Sequence, residues 1–210
     1  MNKKLSALSI FLLLLALAAC GKVPAAPLPP PTKAQALASP LPVLTATSAQ
    51  VTAEPAQEAA VMTLTSPDLP ADGRLPAEYT CDGAASTLAL AWSGAPAGTV
   101  GYAVIMHHLA PETIHWYWVL YDLPAEITSL PKNVSGIGTL GNNINNGRTE
   151  YSPPCSKGPG DKEYIYTVYA LSAQPQLSVP AAQVDRATLL EAIQNITLAS
   201  AELHVIYARP

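Results

Sequence analysis

The sequence predicts a mainly β domain, either a sandwich or a barrel, over residues 61–210. Turn-forming pairs recur along this stretch, among them Asp72-Gly73, Asp82-Gly83, Ser93-Gly94 and Asn146-Gly147. The segments between the turns are short and rich in aromatic and β-branched residues, a composition typical of strands. They are residues 88–92, 100–108, 115–121, 164–171 and 200–208. A stretch of this length suits one domain with a substantial core.

The first 19 residues predict a secretory signal peptide, with a basic start at Lys3-Lys4 and an apolar run over 7–19. The apolar run is short for a membrane span. The ending Leu17-Ala18-Ala19-Cys20 resembles a bacterial lipoprotein signal, in which the cysteine is lipidated and the chain is cut just before it. That resemblance implies an extracytoplasmic, membrane-anchored lipoprotein, in the outer membrane if the host has one. An ordinary signal peptide with an incidental cysteine is the alternative.

Residues 20–60 are interpreted as the lipidated cysteine followed by a tether. The stretch 22–60 contains eight of the 21 prolines, eleven alanines, four charged residues and no aromatic residue. Such a segment buries too little apolar surface to offset the entropy of ordering it. The whole chain has a net charge of −4 and no basic tract, which argues against nucleic-acid binding.

Within the domain, one strand and one helix have the clearest patterns. Residues 164–171 are apolar on both faces, as expected of a central strand covered on both sides. Residues 185–194 predict a helix with Asp185 as its N-cap. Its apolar positions at helical spacing are Val184, Ala187, Leu190 and Ile193.

The motif Gly136-Ile-Gly-Thr-Leu-Gly141 matches the glycine pattern of dinucleotide sites, but its surroundings do not fit. A dinucleotide fingerprint lies between a strand and a helix, because the helix N-terminus binds the pyrophosphate. Here Pro131-Lys-Asn precedes the motif, and the turn-forming stretch 141–147 follows it. The sequence also lacks the serine-hydrolase elbow, the paired-histidine zinc motif and a Cys-x-x-Cys pair. No cofactor is expected.

The cysteines predict one disulfide. If Cys20 is lipidated, Cys81 and Cys155 remain as an even pair outside the cytoplasm. The alternative is two free thiols too far apart to pair.

Three of the four histidines lie within residues 104–118. Side chains alternate along a strand, so His107 shares a face with Ile105 whereas His108 points to the other face. His107 and His115 lie on neighbouring elements and can converge. Two imidazoles fall short of a zinc site, and the nearest carboxylate, Glu112, is on the connecting loop. Metal binding, general-base catalysis, a core position and a ligand-pocket wall all stay open on this pattern alone.

Several motifs resemble, in their order along the chain, the phosphatidylethanolamine-binding protein family, and in particular its bacterial YbhB/YbcL or Raf-kinase-inhibitor-like branch. They are YTCDG (79–83), AWSGAPAGT (91–99), LAP (109–111), HWYWVLYDLPA (115–125), PPC (153–155) and YIYTVYAL (164–171). The resemblance implies an antiparallel β-sandwich of two sheets with one or two peripheral helices. It also implies a small pocket for anionic or phosphate-bearing groups, built from a D-P-D-A-P loop, a histidine, a G-P-C-P-P-like loop and an H-R-Y strand start.

The resemblance carries these pocket roles onto individual residues. His115 matches the histidine, Ala110-Pro111 the end of the first loop, Pro154-Cys155 the proline–cysteine loop and Tyr164 the tyrosine of H-R-Y. The departures are His107 and Leu109 in place of two Asp, Lys162-Glu163 in place of His-Arg, and Ser156-Lys157 in place of two prolines. The predicted ligand-binding residues are Asp82, His107, Ala110, Pro111, His115, Pro153, Pro154, Lys162 and Tyr164.

Replacing Asp by His exchanges a fixed negative charge for a group that gains a positive charge near neutral pH. We therefore expect a site for a small anion or a phospholipid headgroup that performs no chemistry, with His108 structural or exposed. An inhibitor or interaction partner of an extracytoplasmic protease or other protein is the alternative, and a metal-dependent hydrolase using His107 and His115 is a weaker one.

Overall fold

The domain consists of two antiparallel sheets with one short helix, as predicted. The structure is a computed structural model that describes residues 61–155 and 157–209. The strands are β1 (Thr63–Thr65), β2 (Leu90–Ser93), β3 (Gly101–Leu109), β4 (Ile114–Pro124), β5 (Ser129–Leu130), β6 (Thr139–Leu140), β7 (Lys162–Leu171) and β8 (Thr197–Tyr207). The helix is α1 (Arg186–Ile193), and 3-10 turns span Ala77–Tyr79 and Ala181–Gln183. The small sheet has the order β1-β2-β5 and the large sheet the order β6-β4-β3-β7-β8.

The large sheet is covered on both faces, which explains why its central strands are apolar throughout. Its inner face packs against the small sheet, where Val104 and Met106 of β3 join the core around Trp92. Its outer face packs against α1, where Ile105 of β3 contacts the cluster containing Leu189. β7 lies between β3 and β8, so the prediction of a central strand over 164–171 is confirmed.

Helix α1 begins directly after its predicted cap. The carboxylate of Asp185 accepts a hydrogen bond of 2.8 Å from the backbone N–H of Thr188. Of the four apolar positions predicted at helical spacing, Val184 and Ile193 are buried and Leu190 packs partly buried against the same cluster, whereas Ala187 is exposed. Leu189, which was not among them, is fully buried and lies on the same face as Ile193, four residues further on.

The predicted disulfide is formed between Cys81 and Cys155, whose Cα atoms are 5.3 Å apart. It joins the segment after the first 3-10 turn to the loop that precedes β7. Closing a loop of 74 residues stabilises a fold by about 4 kcal/mol in the chain-entropy treatment. The Gly136–Gly141 motif contains the two-residue strand β6, and turns rather than a helix follow it, as its rejection as a nucleotide site requires.

The predicted signal peptide at 1–19, Cys20 and the tether at 20–60 lie outside the described residues, as do Ser156 and Pro210. Within the described ranges, no helix has the length and apolar character needed to cross a membrane.

Candidate functional site

Three neighbouring strands place aromatic and imidazole rings side by side at one end of the large sheet. In the ladder, His108 of β3 lies opposite His115 of β4 and opposite Tyr164 of β7. Directly opposed residues in antiparallel strands point to the same face. All three side chains therefore lie on the inner face, where the two sheets end and loops take over.

A cavity of about 490 Å³ opens at this point, and we call it the histidine cavity. Its lining residues come from β3, β4, β7 and the loops beside them: His108, Ala110, Pro111, His115, Tyr117, Asn145, Cys155, Lys157 and Lys162. This set carries two ammonium groups and two imidazoles but no carboxylate. Neither lysine has an ion-pair partner within the described ranges.

The tautomer of His108 follows from its backbone contact. Its Nδ1 lies 2.7 Å from the carbonyl oxygen of Glu163. A carbonyl oxygen only accepts hydrogen bonds, so Nδ1 must carry the proton. Nε2 is then the ring nitrogen left for a ligand, and it carries a hydrogen only when the ring is the imidazolium cation. An anion hydrogen-bonded at Nε2 thus needs His108 to take up a proton.

Two tyrosines form the floor of the histidine cavity. The Tyr164 ring lies 5.2 Å from that of His108 and 5.4 Å from that of Tyr117. Tyr164 is fully buried, so it supports the lining residues from below without belonging to the lining itself. Burial raises the pKa of the Tyr117 hydroxyl well above its ordinary value, and the adjacent Tyr164 adds to this effect. The Tyr117 hydroxyl therefore stays uncharged across the physiological pH range.

The side of the histidine cavity is a loop that several contacts hold in place. The Ser152 backbone N–H donates to the Tyr117 carbonyl at 2.9 Å, and the Cys81 N–H donates to the Pro154 carbonyl at 3.0 Å. The Asn145 side chain donates to the Ser152 hydroxyl at 2.6 Å. Together with the disulfide, these contacts fix the path of the chain that leads to exposed Lys157.

Comparison with known families supplies the identity of the fold. Residues 65–208 match the family described as phosphatidylethanolamine-binding protein, which is well over half of the 210-residue chain. The chain belongs to the phosphatidylethanolamine-binding protein family. A UPF0098 protein of Methanothermobacter thermautotrophicus is 33% identical over 143 residues, covering 65% of this chain and 92% of that protein.

Two solved structures of phosphatidylethanolamine-binding protein homologues share the fold. Escherichia coli YbcL aligns with a TM-score of 0.64 and 23% identity over 72% of this chain and all (100%) of that chain. The homologue CT736 from Chlamydia trachomatis aligns with a TM-score of 0.65 and 24% identity over 72% of this chain and 99% of that one.

The family's loop motif predicts that His107 and His115 line the same pocket, and this prediction is wrong. β3 pairs with β7 without a register shift as far as His108, so the alternation of side chains along β3 is not interrupted. The register shift between Met106 and His107 in the β3–β4 ladder leaves Tyr117 of β4 as the unpaired residue. His107 therefore points to the outer face with Ile105, and Leu109 is 56% exposed. His108, which the sequence led us to expect to be structural or exposed, takes the place in the histidine cavity.

His107 is buried beneath the helix side of the sheet. It is 6% exposed, and its Nδ1 has no hydrogen-bond partner among the described residues. Burial lowers the pKa of His107 to about 4, and the positive charge of Arg186 contributes in the same direction. The ring is consequently neutral at physiological pH and unsuited to holding an anion.

Asp82 also lies outside the histidine cavity, contrary to its prediction as a ligand residue. Its carboxylate accepts hydrogen bonds from the Tyr207 hydroxyl and from Arg209 Nε, the latter at 3.0 Å. The hydrogen bond from Tyr207 is the main reason that the pKa of Asp82 lies below its ordinary value, and Arg209 adds to it. Asp82 thus ties the segment next to the disulfide to the end of β8.

The remaining predicted residues divide into two groups. The histidine cavity is lined by Ala110, Pro111, His115 and Lys162, whereas Pro153 and Pro154 precede Cys155 in the chain and are not among the lining residues. Their part in ligand binding stays a prediction. Sequence reasoning did not select His108, Tyr117, Asn145 or Lys157 as site residues. Of these, His108 could have been found most easily, because strand alternation already placed it on the face opposite to that of His107.

No group of three or more His, Cys, Asp or Glu side chains is arranged to hold a metal ion within residues 61–155 and 157–209. The histidine cavity instead gathers hydrogen-bond donors and positive charge. That arrangement can bind an anion through charge-assisted hydrogen bonds.

Proposed function

We propose that the domain binds a small anionic or phosphate-bearing ligand in the histidine cavity and holds it without chemical change. The observation that carries the proposal is the charge of the lining, which has two lysines, two histidines and no carboxylate. The volume of about 490 Å³ is within the usual range for small-molecule sites. A phosphate group with a short organic substituent, such as a phospholipid headgroup, is of matching size and charge.

The geometry of His108 adds a pH dependence to this proposal. Because Nδ1 donates to the Glu163 carbonyl, an anion at Nε2 binds together with a proton. Histidine side chains in general take up protons between about pH 5 and 8. Affinity should therefore rise as the pH falls through this range.

Sulfate is the sharpest probe, since its charge stays constant over the same range. We expect isothermal titration of the full chain to give sulfate binding about tenfold tighter at pH 5.5 than at pH 7.5. His108→Gln should remove most of this difference, whereas Lys162→Gln should weaken binding at both pH values. His204→Gln, which changes a histidine outside the cavity, is the matched control.

Comparing inorganic phosphate with phosphorylethanolamine distinguishes a simple anion site from a headgroup site. Tighter binding of phosphorylethanolamine supports a headgroup ligand, and equal binding supports a phosphate site alone. Absence of saturable binding for all three probes at both pH values refutes the proposal.

We further propose that the protein acts outside the cytoplasm, anchored by a lipid on Cys20. The support is the Leu-Ala-Ala-Cys ending of the N-terminal apolar segment and the proline-rich stretch that follows it. Mass spectrometry of the full chain expressed in bacteria should find a diacylglyceryl-modified N-terminal cysteine in the membrane fraction. Cys20→Ser should abolish the modification, and an unmodified, uncleaved N-terminus in the unaltered chain would overturn the assignment.

A further inference from the structure

A second cavity lies on the inner face of β4, beneath the loop that connects β5 to β6. Its volume is about 200 Å³. Trp118 and Leu120 of β4 form the base, and Val134 and Ile137 of the loop form the cover. Leu140 and Tyr151 lie at the sides, so that the walls are mainly apolar. We call it the loop cavity.

The base of the loop cavity is rigid, because its side chains belong to the core. Trp118 is 1% exposed and Leu120 is 2% exposed, and both are part of the main hydrophobic cluster. The Trp118 and Tyr151 rings meet edge to face, with centroids 5.6 Å apart and planes at 83°. Such a base changes shape little when a ligand enters.

The loop that covers the cavity contains the glycine motif that was rejected as a nucleotide-binding site. Gly138 has φ of 70°, and a Cβ placed on it would lie 2.7 Å from the Tyr121 carbonyl oxygen and 2.8 Å from Leu123 Cδ2. Only glycine lets the loop approach β4 this closely. The motif therefore shapes an apolar cavity and not a phosphate-binding turn.

One polar group in the wall of the loop cavity lacks a partner. Thr87 is 7% exposed, and its Oγ1 is buried with no hydrogen-bond partner among the described residues. The backbone N–H of Thr87 donates to Asn133 Oδ1 at 3.2 Å. Thr87 is therefore held in position by a residue near the beginning of the loop. A buried hydroxyl without a partner is unfavourable, and a ligand that supplies one removes this penalty.

The charge at the mouth excludes the ligand class of the histidine cavity. Glu150 lies at the rim, where its carboxylate accepts a 2.7 Å hydrogen bond from Asn146, and the described lining contains no Lys, Arg or His. An anion would meet a negative charge there without a compensating cation. An uncharged molecule meets no such barrier.

We propose that the loop cavity is a second binding site, for a small uncharged phenol or branched alcohol whose hydroxyl bonds to Thr87. Apolar cavities of about 150 Å³ are known to accept a benzene ring, and the loop cavity is slightly larger. The aromatic or branched body packs on Trp118, Leu120 and Ile137, and the hydroxyl pairs with Oγ1. The site is independent of the ligand proposed for the histidine cavity.

The test compares phenol, toluene and benzoate, which share a ring and differ in the polar group. We expect NMR titration of the full chain to show saturable shifts at the methyl groups of Val134, Ile137 and Leu140. Phenol should bind with a Kd on the order of 1 mM, toluene about fivefold more weakly, and benzoate without saturation.

Thr87→Val keeps the volume of the side chain and removes the hydroxyl. It should weaken phenol binding about fivefold and leave toluene binding unchanged, while the melting temperature stays the same or rises because no unpaired hydroxyl is buried. Thr65→Val, on the exposed side of β1, is the matched control. Ile137→Phe should fill the loop cavity and abolish phenol binding without changing sulfate binding in the histidine cavity.

Three results would each overturn the proposal. They are no saturable shifts with phenol or toluene, shifts confined to the histidine cavity, and equal affinity for phenol and toluene in both the unaltered chain and Thr87→Val. Because Thr87→Val does not enlarge or fill the core, it remains informative even if Ile137→Phe fails to fold.

Discussion

The two faces of the large sheet place neighbouring histidines in opposite environments. On the outer face, His107 is buried opposite Trp116 and Ile165, feels the charge of Arg186 and has no partner for Nδ1 among the described residues. On the inner face, His108 is hydrogen-bonded to the Glu163 carbonyl and reaches the histidine cavity. One residue along the strand thus separates a neutral core imidazole from one placed to bind an anion. The difference arises from what covers each face, since the backbone of β3 is regular through both positions.

The coverings differ in how they are held. The outer face is closed by α1 and its hydrophobic contacts with the sheet. At the end of the sheet that contains the histidine cavity, the inner face is covered by loops. These loops are held by a disulfide and a few backbone hydrogen bonds. A helix that packs through buried side chains leaves no room for a ligand, whereas crosslinked loops can stay in place around a cavity.

Removing the disulfide should have the largest effect on stability, and it should also loosen the loops around the histidine cavity. We expect the double variant Cys81→Ser, Cys155→Ser to lose about 4 kcal/mol of unfolding free energy by the chain-entropy estimate. Sulfate affinity should fall as well, because the loop carrying Lys157 is no longer tied down. Urea denaturation and calorimetry measure the two effects, with Cys20→Ser as the cysteine control. Unchanged affinity in a folded double variant would show that the hydrogen bonds alone hold the loop.

The buried His107 should make the fold sensitive to acid. Its pKa is about 4 in the folded state and near 6.5 when unfolded, so the unfolded chain takes up this proton first. The stability that neutral His107 provides is fully present above pH 6.5 and is lost as the pH falls towards 4. The difference amounts to roughly 3 kcal/mol.

His107→Leu should remove this component of the pH dependence. Urea unfolding of both proteins at several pH values from 7 to 4 gives the difference, and other titrating groups cancel in the comparison. Arg186, Glu202 and His204 are the charged and titratable groups near His107 on the outer face, and His108 acts on it electrostatically from the inner face. Parallel pH profiles of the two proteins would mean that the outer face tolerates a charged imidazole.

Substituting the N-cap of α1 measures how much the stability of the outer face depends on the end of this helix. Asp185→Ala removes the acceptor for the Thr188 N–H and should lower the unfolding free energy by about 1 kcal/mol. Asp185→Asn retains a capping oxygen and is the control. Neither variant should change sulfate binding, because the helix lies on the face opposite the histidine cavity. A cavity that loses affinity in Asp185→Ala alone would show that the two faces are coupled.

His204 should show the smallest effect and the opposite dependence on pH from His107. It lies on the same face, but its ring nitrogens contact Glu163 at 2.8 Å and Glu202 at 3.3 Å, and the hydrogen bond with Glu163 is the main cause of its raised pKa. Its contribution is present below pH 6.5 and is lost as the pH rises through the folded-state value. The side chain is 48% exposed, so solvent screens the contacts. Relative to His204→Gln, we expect a gain in melting temperature of at most about 2 °C at pH 5.5 and none at pH 9.

Much of the fold could be predicted from the sequence because its signals are local. Aromatic and β-branched runs between turn residues located the long strands β3, β4, β7 and β8, and Asp185 marked the start of α1. The short strands β1, β5 and β6 were not predicted, since two or three residues carry too little pattern. The pairing of Cys81 with Cys155 was within reach because only two cysteines remain in the domain.

The candidate site was predicted only in part. One cavity is lined by His115, Lys162, Ala110 and Pro111, and their part in ligand binding stays a prediction. Asp82 was misplaced because nothing near it in sequence shows that Tyr207 and Arg209 return to bind its carboxylate. Lys157 and Asn145 were missed as site residues because the path of their loop depends on contacts with Tyr117 and Cys81.

The sequence by itself determined that His107 and His108 point to opposite faces, because alternation is a property of the extended backbone. It also determined the turns, the helix cap and the supply of two cysteines. The tertiary structure alone decided which face is closed by α1 and which opens into the histidine cavity, since that depends on elements far along the chain packing onto the strand. Burial and charge at a histidine follow from that long-range packing, and they make His108, not His107, the imidazole available to a ligand.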